Sequence, residues 1–364
     1  MSDHSATISI TVTLQSAPGT PAGFGVPTLF VDEAAGTGNG LNGDRYREYA
    51  SVAEAEVDEA AGYITSAVVD AMDACFAQTR KVSALRVCRV DTGGGESYSD
   101  ALTALENAGP TGGIWGLMMD SRSAATQVAF ATAVQAKPYM LFLQSADSDW
   151  LTSGLPSGYA NLSNDERTAV VYHDTAAQWA DVAWACNRLA FDPDLSSQGS
   201  VQWECPLLGI DDYSTRLTSA QVANAKANNC AVIGELGSAP AFLDPGVSCT
   251  GRAIYEQLTA DWFSARLREA MEALVVQQAN RGRKILLNTT GQAMVLAKAQ
   301  EVVQTAIAAR HLNEGQVVLT TPPLTSADLD ARRIRLEGEA QIAGSARLFV
   351  FDLYFTREQV VEDA

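Results

Sequence analysis

The chain has 364 residues, of which 47% are hydrophobic and 19% charged, a composition typical of a globular protein with room for two domains. Its net charge of −18 argues against a general binder of nucleic acid or of anionic membranes. No apolar run approaches the roughly 18–20 residues that span a bilayer. The first residues, MSDHSATISI, lack the basic region and apolar core of a secretory signal, so we expect synthesis and folding in a cytoplasm.

The N-terminal segment predicts a strand that is separate from the body of the protein. Ile8, Ile10, Val12 and Leu14 alternate with Ser and Thr, which is the period-2 pattern of a half-buried strand. The following residues 15–25 are rich in Pro, Gly and Ser and are typical of a linker. We therefore interpret residues 1–26 as an N-terminal arm and its linker.

Short apolar runs alternate with helical patterns between residues 27 and 250. The predicted strands are 27–33, 83–90, 114–120, 138–144, 168–173 and 230–236. The predicted helices are 52–78, 121–136, 175–189 and 218–228. This alternation favours an α/β domain with a largely parallel sheet.

A different organisation follows, which we interpret as an α+β domain over residues 251–345. Residues 251–312 are helical in pattern, with a second helix predicted at 291–310. Strands are predicted at 317–321 and 333–342, with a short helix at 326–332 between them. Residues 346–364 form a predicted C-terminal strand arm, whose apolar residues Leu348, Val350, Phe351 and Leu353 lie on both faces of the strand.

Charge is distributed unevenly along the chain. Residues 1–250 hold 12 basic and 29 acidic side chains, whereas residues 251–364 hold 13 and 14. Within 266–298 only Glu269 and Glu272 oppose a basic set: Arg266, Arg268, Arg281, Arg283, Lys284 and Lys298. Such polarity either orients the protein between unlike partners or reflects a solvated helix face. Two interpretations also remain for a second basic group, Arg332, Arg333 and Arg335. These side chains either pair with acidic groups of another chain or cover a strand face of their own chain.

An enzymatic interpretation starts from the glycine-rich sequence Gly38-x-Gly40-x-x-Gly43. In a nucleotide-binding fold such glycines let a pyrophosphate approach a helix N-terminus, but here the next helix is predicted only from about Ser51. His173 and Asp174 end a predicted strand, either as a catalytic pair or as a strand-end His beside a helix-capping Asp. The pairs Asp147/Asp149 and Asp211/Asp212 suit either a weak cation site or turns and helix caps.

The six cysteines are Cys75, Cys88, Cys186, Cys205, Cys230 and Cys249, and none forms a C-x-x-C pair. With only three histidines in the chain, their spacing does not favour zinc. In a reducing cytoplasm we expect six thiols. If the finished assembly meets an oxidising exterior, thiols of neighbouring chains could oxidise and lock the assembly.

Five blocks in a fixed order resemble the tail sheath proteins of contractile bacteriophages, in the shorter-sheath branch. The first is RYREYASVAEAEVD, continued by AVVDAMDACFAQTRKVSALRVCRV, over 45–90, and the second is GGIWGLMMDSRSAATQVAFATAVQAKPYMLFLQSAD over 112–147. The third combines ERTAVVYH and AQWADVAWACNRLAFDP. The last two are TADWFSARLREAMEALVVQQ and ADLDARRIRLEGEAQIAGSARLFVFDLYF.

The resemblance implies a structural subunit rather than an enzyme, with no cofactor. Such subunits stack in rings around a tail tube, and arms from both termini add strands to neighbouring C-terminal sheets. Contraction then drives the tube through the host envelope. Implied partners are further copies, the tube, baseplate and tail terminator proteins, with no nucleic acid and no membrane insertion, in a virion tail assembled in the host cytoplasm.

For the tube contact we predict Arg266, Arg268, Arg281, Arg283 and Lys284, and we expect the acidic 27–250 domain to face outward. Two alternatives remain. One is a cytoplasmic nucleotide-binding enzyme that uses the Gly38–Gly43 loop. The other is the sheath of a phage-related contractile injection device.

Overall fold

A computed structural model describes residues 23–32, 40–211, 216–236 and 239–344. Nine strands form one large sheet: β1 (Thr28–Asp32), β2 (Tyr46–Tyr49), β3 (Leu85–Val90), β4 (Gly116–Met119), β5 (Met140–Ser145), β6 (Thr168–Tyr172), β7 (Cys205–Pro206), β8 (Cys230–Leu236) and β9 (Ala239–Asp244). Two further strands, β10 (Leu312–Thr320) and β11 (Glu337–Ile342), form a separate antiparallel ribbon. The helices are α1 (Val52–Ala60), α2 (Ser66–Phe76), α3 (Tyr98–Ala108), α4 (Ala124–Gln135), α5 (Ala180–Leu189), α6 (Ser219–Ala227), α7 (Ile254–Asn280), α8 (Thr289–Ala308) and α9 (Ser326–Asp330).

The large sheet has the order β2-β3-β1-β4-β5-β6-β8-β9-β7. Strands β3, β1, β4, β5, β6 and β8 are parallel, while β2, β9 and β7 join antiparallel at the two ends. The predicted α/β class with a largely parallel sheet is therefore confirmed. Among the described helices, none is long and apolar enough to cross a bilayer.

The central strands are apolar on both faces because helices cover both. In β5, Met140 and Phe142 enter one core cluster together with side chains from α2, α5, α7 and α8. Leu141 and Leu143 point to the other side, where α3, α4 and α6 pack. Both faces of this strand therefore lose contact with water, which explains why its sequence is a continuous apolar run.

The predicted helix over 52–78 is wrong, because the chain forms two helices there. Helix α1 begins after the N-cap Ser51, whose hydroxyl accepts from the backbone N–H of Glu54. It ends where Gly62 adopts a φ of 76° and donates its N–H to the carbonyl of Glu59. A left-handed residue at this place favours glycine, and it lets α2 start in a new direction.

Several elements were not predicted. They are α3, which a Ser97–Asp100 capping box starts, and the end strands β2, β7 and β9. The end strands are short or mixed in polarity, since they are covered less completely than the centre of the sheet. The predicted strand 333–342 is also partly wrong, because only Glu337–Ile342 is a strand.

Helix α7 is joined to the sheet by a partly buried ion pair. Asp261 accepts from Arg167 Nη1 at 2.8 Å and Nη2 at 2.9 Å, and from the indole Nε1 of Trp115 at 2.9 Å. Arg167 directly precedes β6 and Trp115 directly precedes β4. The carboxylate therefore fixes the first half of α7 against β4 and β6, the two strands on either side of β5, with geometry that suits a bidentate guanidinium.

A second junction fixes α7 and the end of α8 to residues 192–203. Asp194 accepts from Trp262 Nε1 at 2.9 Å and from Arg266 Nε at 2.7 Å. The buried His311 stacks on Trp262, with ring centroids 4.4 Å apart, and its Nε2 donates to the carbonyl of Pro193. Gly199 lies so close to this junction that a Cβ would stand 1.8 Å from the carbonyl oxygen of Ala309.

We predict that Asp261→Ala lowers the free energy of unfolding by about 2–4 kcal/mol, because it leaves a largely buried guanidinium and an indole N–H without their acceptor. Chemical denaturation followed by tryptophan fluorescence measures the change. Asp73→Ala, at an exposed helical carboxylate, is the matched control and should change the value by less than about 0.5 kcal/mol. Equal effects from the two substitutions would contradict this role of Asp261.

Candidate assembly surfaces

The β10–β11 ribbon is the first surface suited to assembly. Its pairs include Val317 with Ala340 and Leu319 with Gly338, and β10 contains a register shift between Leu312 and Val317. Within the described residues, neither strand pairs with any further strand. A two-stranded ribbon is marginal by itself, and its outer edges carry unpaired backbone groups that another strand can use.

The two faces of the ribbon differ. Val317, Leu319, Ala340 and Ile342 are partly buried and pack against the core that contains α7 and α8. Val318, on the other face, is 62% exposed. A strand added to either edge with alternating apolar residues would extend the inner, covered face.

A groove of about 900 Å³ lies between the second half of α7 and residues 331–340. Its floor is apolar and includes Met271, Leu274, Val275, Ile285 and Leu287. Its rim is cationic and consists of Arg283, Lys284, Arg332, Arg333 and Arg335, against the carboxylates of Glu337 and Glu339. A concave apolar floor with a charged rim suits a segment of chain that is itself part apolar and part acidic.

Asp328 organises one wall of this groove. It accepts from the hydroxyl of Thr325 at 2.6 Å in a capping box at the start of α9, and from Arg333 Nε at 2.7 Å. Arg335 lies 3.1 Å from the same carboxylate. The hydroxyl and backbone N–H of Thr325, followed by Arg333, hold the pKa of Asp328 well below its usual value. The carboxylate is thus ionised at neutral pH and positions two of the rim arginines.

The residues predicted to contact a tube do not form one cluster. Arg266 is bound to Asp194 and Glu269, at 2.6 and 2.8 Å. Arg268 is exposed on α7, while Arg281, Arg283 and Lys284 are exposed beyond its other end. Fifteen residues of helix separate Arg266 from Arg281, or roughly 22 Å at 1.5 Å per residue.

Both predicted arms lie outside the described residues. These are the N-terminal strand with Ile8, Ile10, Val12 and Leu14, and the C-terminal strand with Leu348, Val350, Phe351 and Leu353. Their pairing remains a prediction. What the structure describes is the ribbon on which such strands could be added.

The glycine-rich loop lacks the setting of a nucleotide site. Residues Gly40–Gly43 form a 3-10 turn that leads into the edge strand β2, and Gly38 lies outside the described residues. Helix α1 begins only after Ser51, so no helix N-terminus follows the glycines directly. The phosphate-binding arrangement needs that helix, and the fold supplies a strand in its place.

The other candidate catalytic and metal-binding residues have local roles, except Asp212, which lies outside the described residues. His173 is buried, and its Nδ1 accepts from the N–H of Thr175 at 3.1 Å, while burial lowers its pKa so that it is neutral at pH 7. Asp174 does not cap a helix, since α5 begins after Trp179. Asp147 does act as a cap, accepting from the N–H of Asp149, and Asp211 accepts from Gln178.

At the carboxyl ends of the parallel strands, where α/β enzymes bind ligands, two buried side-chain amides, those of Gln127 and Gln144, bond mainly to backbone groups. Gln127 donates to the carbonyls of Ser121 and Gln144, and Tyr159 donates to the Gln127 side-chain oxygen at 2.7 Å. Gln144 in turn accepts from the N–H of Ala180. Sequence analysis missed this network, because isolated Gln residues in strand and helix patterns carry no signal of their own.

All six cysteines are free and buried. Burial raises the pKa of Cys88 to about 12 and that of Cys205 to about 11, so both thiols are protonated at neutral pH. A disulfide between neighbouring chains would require these cores to open. The hypothesis that thiols of neighbouring chains oxidise and lock the assembly is therefore not supported by where the cysteines lie.

Protein-family models and curated proteins yield no match to this sequence. Solved structures do match its fold. A chain in the cryo-EM structure of the anti-feeding prophage baseplate is 13% identical, with a TM-score of 0.64 over 96% of this chain and 99% of that one. A chain in the contracted PVC sheath complex of an extracellular contractile injection system is 14% identical, with a TM-score of 0.59 over 97% of this chain and 98% of that one. The sheath tail protein from Listeria innocua is 10% identical, with a TM-score of 0.59 over 91% of this chain and 95% of that one.

At these identities the likeness establishes the fold. The chain has the fold of solved contractile sheath proteins over nearly its whole length, as the order of its five sequence blocks predicted.

We predict that the wall formed by residues 325–336 loosens in acid. Because the pKa of Asp328 is lowered in the fold, its stabilisation is present above the unfolded value of about 4 and is lost as the pH falls from there through the folded pKa. Asp328→Asn should therefore speed hydrogen exchange in this segment several-fold at about pH 6, where the wild type still has its carboxylate.

Asp330→Asn is the matched control, because Asp330 lies in the same short helix and is exposed. Hydrogen exchange read out by mass spectrometry of peptides compares the three proteins. Unchanged exchange in Asp328→Asn would show that the carboxylate does not hold this wall.

Proposed function

We propose that this protein is the structural subunit of a contractile sheath, which polymerises around a tube and shortens to drive that tube through an envelope. The observation that carries the proposal is the match of more than nine-tenths of both chains to sheath structures, one of them in the contracted state. The open-edged ribbon supports it, because a sheath must be linked between subunits and this ribbon offers edges for linking.

Linking occurs by addition of strands from neighbouring copies to β10 and β11. Each inter-strand hydrogen bond contributes about 0.5–1.5 kcal/mol, while ordering each residue of an arm costs about 1–2 kcal/mol. Backbone pairing alone therefore does not hold an arm. Burial of Ile8, Ile10, Val12 and Leu14 contributes about 1.5–3 kcal/mol for each side chain and decides the balance. The same reasoning applies to Leu348, Val350, Phe351 and Leu353.

Contraction is a change between two packings of the same subunits. The linker was predicted over residues 15–25, but Phe24 is buried in the core of the body. Residues 15–22 would then let each body rotate and slide while its arm stays in the neighbouring sheet. The two lattices differ in free energy, and a trigger at one end releases the more stable one, so the subunit itself hydrolyses nothing. This mechanism requires a rigid subunit, which the hydrogen-bonded junctions at Asp261 and Asp194 support.

The context of the proposed sheath is a phage tail or a related injection device, and the solved structures include devices of the second kind. Its partners are other copies, a tube protein, and baseplate and terminator proteins at the ends. Assembly takes place in a cytoplasm. The enzyme alternative has no observation in its favour, since the glycine loop is not followed by a helix.

For the tube contact we retain the exposed Arg268 and Arg281, since Arg266 is bound within the fold and Arg283 and Lys284 line the groove. Complementary charge between sheath and tube steers assembly and sets specificity. The strongly acidic residues 27–250 then lie on the opposite, outward side.

We predict that Ile10→Asp gives a folded monomer that forms no tubes, because a charge replaces one of the four side chains that hold the N-terminal arm. Negative-stain microscopy and sedimentation measure tube formation, and circular dichroism verifies the fold. Thr11→Asp, on the opposite face of the same strand, is the control and should assemble. Normal tubes from Ile10→Asp would remove the arm from the mechanism.

A second prediction concerns the tube. Arg268→Glu together with Arg281→Glu should leave the sheath subunits able to polymerise but reduce their co-sedimentation with the purified tube about tenfold, and high salt should abolish the difference. Arg310→Glu, an exposed substitution after α8, is the control. Equal tube binding by the double variant and the control would refute this contact.

A further inference from the structure

The groove beside the ribbon has more positive charge than its own chain neutralises. Among the described residues, Arg283, Lys284 and Arg332 form no ion pair, although Arg333 and Arg335 share Asp328. The floor between these cations is apolar and open. A fitting occupant therefore carries carboxylates at its ends and apolar side chains between them.

The two terminal segments that lie outside the described residues differ sharply in their content of acidic side chains. Residues 1–22 contain a single acidic side chain, Asp3. Residues 358–363 read EQVVED, in which Glu358, Glu362 and Asp363 flank two valines and no basic residue occurs. Of the two, only the second has the charge and the apolar centre that the groove requires.

We propose that residues 358–363 of a second copy of this chain bind in the groove, with the valines on the apolar floor and the carboxylates against Arg283, Lys284 and Arg332. The inference rests on the proposed function, in which the preceding strand at 346–355 of that copy pairs with this ribbon. Residues 337–340 of β11 line the groove, so a strand at the edge of β11 lies beside it. From Phe355 to Glu358 the chain spans about 10 Å, enough to cross from the ribbon edge into the groove.

The bound segment acts as an electrostatic clamp on the strand that precedes it. The added strand is held by burial, which is insensitive to salt, whereas the acidic segment is held by exposed ion pairs that salt weakens. The assembly would then have one contact whose strength depends on ionic strength. The ion pairs also fix the register of the bound segment, because its carboxylates must lie against the cationic rim of the groove.

Charge reversal on each side tests the proposal. One variant carries Arg283→Glu, Lys284→Glu and Arg332→Glu, and another carries Glu358→Lys, Glu362→Lys and Asp363→Lys. Each should raise the concentration required for tube formation roughly tenfold in about 50 mM salt, because three exposed ion pairs are replaced by repulsion. The effect should nearly vanish in about 500 mM salt. Lys81→Glu with Arg310→Glu, both exposed and outside the groove, is the control and should assemble as the wild type does.

A chain that carries both sets of changes should assemble nearly as well as the wild type, which also shows that the substituted residues still fold. A mixture of the two single-sided variants should recover equally well, since each groove then finds a matching segment on the other variant. If the combined chain recovers and the mixture does not, the segment binds within its own chain and the second copy is wrong. If neither recovers, or if the single-sided variants assemble normally, the groove does not bind this segment.

Failure of the inference is distinguishable from failure of the proposed function. Wild-type tubes together with equal behaviour of all charge variants would overturn the clamp and leave the sheath intact. A wild-type chain that forms no tubes under any of these conditions would overturn both.

Discussion

The attachment of helix α7 is the interaction on which the rest of the structure depends. Its first half is fixed to the large sheet through Asp261, Arg167 and Trp115, and to residues 192–203 through Trp262 and Arg266. Its second half supports the β10–β11 ribbon and forms the floor of the groove. Because one continuous helix does both, the position of the ribbon is set by the body of the subunit, and force on the ribbon is transmitted to that body.

The proposed mechanism uses this rigidity. Links between subunits would consist of flexible linkers and added strands, while each body moves as a unit. The buried amide network at the carboxyl ends of the parallel strands also contributes to the rigidity of the body. In an enzyme of this class that edge is open for a ligand, whereas here Tyr159 and backbone groups satisfy the buried side chains of Gln127 and Gln144. The region that could have been a site thus reinforces the body.

The exposed surfaces of the subunit differ in the sign of their charge. In the proposed sheath, repulsion between the acidic first 250 residues of neighbouring copies would direct contacts to the ribbon, the groove and α7. Within the groove, Asp328 orders Arg333 and Arg335, while Arg283, Lys284 and Arg332 remain available to a partner. A surface organised in this way favours an occupant of opposite charge over a neutral one.

The sequence by itself determined the parallel centre of the sheet, because strands buried on both faces must be apolar throughout, as in β5 and β6. It also determined that a helix begins near Ser51, and it gave the order of blocks that resemble sheath proteins. It did not reveal the split at Gly62, the end strands β2, β7 and β9, or the burial of all six thiols. Those depend on which segments meet in space, and neither a short strand nor a lone cysteine carries that information locally. Only the tertiary structure decided that Arg266 is bound to Asp194 while Arg283 and Lys284 line a groove with Arg332, since these pairs join residues far apart in the chain.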